Sequence, residues 1–166
     1  MAGREEEVRI RRVVACFAPG HAARPEAVAR LARELEADLL GLFLEDVELL
    51  RFASLPFARE VGLASALPMT MSLAGLERQM RAQARVLEEA LAAVLGPSAA
   101  WAFRVERASP ASAVEAALAE GHAPALLIPP GGNLRGERKL VKRPGLTTAA
   151  VKEWLANGKP VVILPE

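Results

Sequence analysis

Short runs of continuous apolarity alternate along this chain with stretches whose apolar residues recur every three or four positions, and that alternation most constrains what it can fold into. Val13-Val14-Ala15-Cys16-Phe17, held between Arg11-Arg12 and Pro19-Gly20, has the length and unbroken apolarity of a strand covered on both faces. From Pro25, suited to the first turn of a helix, Val28, Leu31, Ala32 and Leu35 recur at helical spacing while Arg30, Arg33 and Glu34 fall on the other side. Leu39-Leu40-Gly41-Leu42-Phe43-Leu44 then reads as a second buried strand ending at Glu45-Asp46.

The same grammar resumes after an irregular stretch at 46–73, which holds Pro56, Pro68, Met69 and Met71. From Leu73 the sequence steps through Leu76, Met80, Ala84, Leu87, Leu91 and Val94 to a stop at Gly96-Pro97, with Glu77 and Arg81 paired on the outer side. Trp101, Phe103 and Val105 alternate with Ala102, Arg104 and Glu106, the period of a strand with one wetter face and so of a sheet edge. Ser109-Pro110 opens a helix that Gly121 closes, Ala125-Leu126-Leu127-Ile128 is a further strand, and a helix holding Val151, Trp154 and Leu155 ends at Gly158 before the strand Val161-Val162-Ile163-Leu164. Five strands alternating with four main helices predict one α/β domain over 1–166, a doubly wound five-stranded parallel sheet of order 3-2-1-4-5 with helices on both faces.

Composition excludes several function classes. Lys and Arg total 21 against 20 for Asp and Glu, so a net charge of +1 provides no global field for nucleic acid or an acidic membrane. Aromatic residues make up 4% with no Tyr, which leaves no stacking platform for single strands. The longest uncharged stretch, 61–76, has 16 residues and contains Pro68, short of the roughly 20 apolar residues that cross a bilayer. The acidic opening does not read as a secretory signal, and the lone Cys16 can close neither an internal disulfide nor a structural zinc site, so a cytoplasmic setting is expected.

In a doubly wound sheet, ligands bind beyond the carboxyl ends of the strands where the winding reverses. Here that crevice falls between Ala18-Pro19-Gly20-His21 and the loop that begins Pro129-Pro130-Gly131-Gly132-Asn133-Leu134-Arg135-Gly136. The second loop is glycine-rich and carries Arg135, Arg138, Lys139, Lys142 and Arg143 against Glu137 alone, so its N–H groups and charge suit a phosphate; a plain turn with solvated cations is the other reading. No Walker-type loop and no GxGxxG follows the first strand. His21 and His122 read as loop residues, Cys16 as an inert core thiol, and Glu45-Asp46 as capping or solvated carboxylates; no metal set and no catalytic constellation emerges.

The last third of the chain resembles the universal stress protein family, whose pattern G-x2-G-x9-G-[ST] precedes a helix and a closing strand similar to CPVLVV. Gly132 and Gly145 stand at the separation of the first and third glycines, and Lys159-Pro160-Val161-Val162-Ile163-Leu164 matches the closing strand. The middle glycine falls on Arg135 with Gly136 displaced by one, Leu146 takes the hydroxyl position with Thr147 one place late, and Ala18 stands where nucleotide-binding members carry Asp.

The resemblance implies a non-enzymatic, stress-linked regulatory or binding protein, a homodimer joined through the edge Val161, Val162, Ile163 and Leu164, and not a tight ATP binder. The alternative is a member that binds ATP or AMP, with slow hydrolysis, through Ala18, Pro19, Gly20, Gly131, Gly132, Arg135, Gly136, Gly145 and Thr147. The segment 46–73, with Leu49, Leu50, Phe52, Phe57, Met69 and Met71, offers a surface for a protein partner or completes the core.

Overall fold

The computed structural model describes residues 9–19, 21–47, 51, 73–97, 99–121, 124–134 and 136–165. Its elements follow the order β1 (Arg12–Phe17), α1 (Pro25–Glu34), β2 (Asp38–Asp46), α2 (Leu73–Leu95), β3 (Trp101–Ala108), α3 (Pro110–Ala119), β4 (Ala125–Ile128), β5 (Lys139–Lys142), a 3₁₀ turn (Arg143–Gly145), α4 (Thr148–Asn157) and β6 (Val161–Leu164). The irregular stretch expected at 46–73 lies, apart from its ends and Arg51, outside the described residues, as does His122.

The continuous apolar runs form the middle of the sheet because alternate side chains enter two cores, one on each face. Val13, Ala15 and Phe17 of β1 with Leu39 and Phe43 of β2 face α1 and α2. Val14 and Cys16 with Leu40, Leu42 and Leu44 face α3 and α4. β3 is an edge strand as expected, but the alternation fails after Phe103, with Arg104 and Glu106 half-buried and Val105 47% exposed. Pro110 opens α3 as expected, although the Ser109 side chain makes no cap bond, and Gly158 ends α4 in the left-handed region at φ +74 with its N–H on the Trp154 carbonyl.

The protein is therefore a doubly wound α/β fold with a mostly parallel sheet, but two details of the expected topology are corrected. Among the described residues the sheet has six strands, in the order β3-β2-β1-β4-β6-β5. β1 to β4 are parallel, whereas β6 runs antiparallel to β4, with Leu127 opposite Val161 and Ala125 opposite Ile163. The cause is β5, which runs parallel to β6 from Lys139 beside Val161 to Lys142 beside Leu164. The chain leaves β4, turns back along the outside of the sheet as β5, and only then makes its helical crossover through α4. Val161–Leu164 is accordingly an interior strand, buried through Ile163, and the free edge on that side is β5. The dimer edge assigned to those four residues is not an edge.

Candidate functional site

The winding reverses between β1 and β4, which lie side by side and parallel in the centre of the sheet. Their carboxyl-end loops do meet there. A Cβ on Gly131 would lie 3.5 Å from the His21 Nδ1, an ordinary contact distance, and it is the φ of +66 that favours glycine there. Gly132 is buried, and its N–H donates to the Pro129 carbonyl at 2.9 Å, closing a tight turn. What remains of the crevice, bounded by Arg24, Ile128, Gly131 and Leu134 among others, is about 20 Å³. That is room for one water molecule. Ala18 and Pro19 are half-buried in the loop after β1 and do not bound this crevice; Gly20 and Arg135 lie outside the described residues. Gly136, at φ +140, is exposed on the loop.

The other half of the glycine motif is elsewhere. Because β5 runs opposite to β4, it carries the chain from the carboxyl end of the central strands to their amino end before Gly145 is reached. There Arg143 donates from Nη1 to the Leu118 carbonyl at the end of α3, 3.0 Å away, and Arg12 of β1 donates to the Ala117 carbonyl of the same helix end at 3.1 Å. Gly145 closes the 3₁₀ turn, and Thr147 caps α4, its Oγ1 accepting from the Ala150 N–H at 3.1 Å. Thr148 donates to the Glu115 carboxylate. Gly131 and Gly132 are thus at one end of the sheet, Gly145 and Thr147 at the other. The cations are drawn out with them: Lys139 and Lys142 stand exposed at the two ends of β5, and Arg143 binds α3.

A larger space opens on the other side of the β1 loop. Between α2 and the carboxyl ends of β1 and β2 lies a cleft of about 320 Å³, reached by Phe17, Ala18, His21 and Phe43 from the sheet side. Gln79, Gln83 and Val86 face it from α2, a stripe beside the buried one that carries Met80, Ala84 and Leu87. Sequence reasoning missed this cleft, although its signal is present: Ala18 and Ala23 flank His21, and polar and apolar residues share the second stripe of α2.

Beyond the cleft, the carboxyl end of β2 carries Glu45, which is 3% exposed and accepts from Arg107 Nε at 3.0 Å. Arg107 also lies 3.7 Å from Glu77 of α2, which pairs with Arg81 at the same distance. This chain of charges ties α2 to the β2–β3 edge, and the hydrogen bond that Arg107 donates to Glu45 raises Arg107 above its ordinary pKa. Cys16 is buried, and burial pushes its thiol up to about 12, so it stays an unreactive core residue. Among the described residues no group of three His, Cys, Asp or Glu side chains could hold a metal ion, and no helix is long and apolar enough to cross a membrane.

No family model matches the chain, and no curated protein matches it. The geometry of the two ends of the sheet and of the cleft is what bears on function.

Proposed function

We propose that this chain is a non-enzymatic binding protein of the universal stress type, cytoplasmic and regulatory, that holds no nucleotide tightly. The class rests on the resemblance of the closing segment Lys159–Leu164 and of the spacing of Gly132 and Gly145 within a doubly wound α/β fold, from which the added β5 and the antiparallel β6 depart. The lack of a tight nucleotide site rests on one observation: β5 separates Gly131 and Gly132 from Gly145 and Thr147, so the glycines of the motif do not enclose a common volume. A triphosphate needs several N–H donors and cations converging on one point. At the carboxyl end the Gly132 N–H is already bonded to Pro129 and the crevice holds about 20 Å³. At the amino end Thr147 bonds its own helix and Arg143 bonds α3.

The reading is tested by native mass spectrometry of the freshly purified protein. The expected species has the bare chain mass, 17.7 kDa or a multiple of it. A stoichiometric adduct of the mass of ATP or AMP contradicts the reading and favours the nucleotide-binding alternative.

A further inference from the structure

We infer that the cleft between α2 and the carboxyl ends of β1 and β2 is a binding site for an uncharged, mainly apolar small molecule of up to about two rings that carries a hydrogen-bonding group. Its floor is aromatic: Phe17 and Phe43 are 5% and 1% exposed, yet both reach it. Its walls are kept back by Ala18, Ala23 and Ala82, three small side chains where larger ones would fill the space from within. The resulting volume, about 320 Å³, is within the range of pockets that take small molecules and about twice that of a cavity known to accommodate benzene.

The lining also sets the charge of the occupant. None of the described side chains that line the cleft is Lys, Arg, Asp or Glu, and the His21 imidazole is the one titratable group among them, so a charged group entering it would lose water with no permanent counter-charge beside it. Gln79 and Gln83, one helical turn apart, each offer a carboxamide that both donates and accepts, so a hydroxyl or ring N–H is met whichever way it is turned. Val86 is 63% exposed at the cleft, apolar surface that an occupant would remove from water. In taking the occupant to carry no phosphate, the inference rests on the proposed function.

The probe is 2-naphthol, titrated into the full chain and followed by amide shifts in nitrogen–proton correlation spectra. Saturable shifts at Phe43, Gln83 and Val86 are expected, with at least tenfold weaker binding to Ala82→Phe, which fills the cleft from an exposed helix position. Ala93→Phe, on exposed α2 surface away from the cleft, is expected to bind as the natural chain does. Shifts that do not saturate, or binding unchanged in an Ala82→Phe protein that melts normally, would overturn the site. Displacement of 2-naphthol by AMP would overturn the uncharged class and the proposed function together. Failure of 2-naphthol to bind a protein that also ignores Mg-ATP would overturn this inference alone.

Discussion

A Cβ at position 132 would stand 2.8 Å from the Pro129 carbonyl oxygen and 3.0 Å from that of Gly158, both backbone atoms with little freedom to move. Gly132 is therefore fixed by the close approach of two turns, and that requirement holds whether or not a ligand is near. Gly132→Ala is expected to lower unfolding stability by roughly 1–3 kcal/mol, the usual cost of overpacking, in a urea titration; an unchanged midpoint would contradict the packing account. That this glycine is special was legible in the sequence, but its reason was not, because Gly158 is brought to it only by the return of the chain through α4.

Glu120 is a second residue whose environment depends on distant partners. Arg104 grips it at 2.8 and 2.9 Å and Arg12 adds a contact at 3.2 Å, hydrogen bonds that hold its carboxyl down at about 2. A carboxylate lowered in the folded state contributes stability above its unfolded pKa, and that contribution is lost as pH falls through the interval from about 4.5 to about 2. The side chain is 45% exposed, so solvent screening keeps the contribution to no more than about 1 kcal/mol. The stability advantage over Glu120→Gln, read from urea midpoints, should shrink steadily between pH 5 and pH 2.5. A constant difference across that interval would refute the ion-pair account.

At the scale of elements, the boundaries that rest on backbone chemistry were readable. Pro25 and Pro110 start helices, Gly96-Pro97 and Gly158 end them, and the unbroken apolar runs are the buried strands. β5 was not readable. Its Lys-Leu-Val-Lys is exposed at three of four positions and offers no apolar run, and a lysine at each end is what a free edge carries to discourage pairing. Missing it left Thr147 assigned to a phosphate when it is the N-cap of α4. Thr147→Ala is expected to cost about 1 kcal/mol in thermal or urea unfolding, and Thr147→Ser to recover most of it. If both substitutions lower stability equally, the hydroxyl does not serve as a cap.

For the whole molecule, alternation of strands and helices was enough to give the α/β class, the central position of β1 and the place where the winding reverses. Direction of the last strand was not contained in that pattern, since Val161–Leu164 is equally apolar pointing either way. Only the pairing of Leu127 with Val161 and of Lys139 with the same residue fixes it, and those contacts join segments far apart in sequence. The candidate site changed with that direction: a motif contiguous in sequence is divided between two ends of the sheet, and among the described residues the alanine-walled cleft at the β1–β2 end has the volume of a small-molecule pocket.

Calorimetric titration of the purified chain with Mg-ATP tests this division most directly. The account predicts no saturable heat at concentrations that would reveal a dissociation constant of about 10 μM, close to −7 kcal/mol. Saturable heat with a constant at or below that value, lost both in Gly131→Val and in Thr147→Ala, would show that the two ends of the sheet act on one nucleotide and would contradict it.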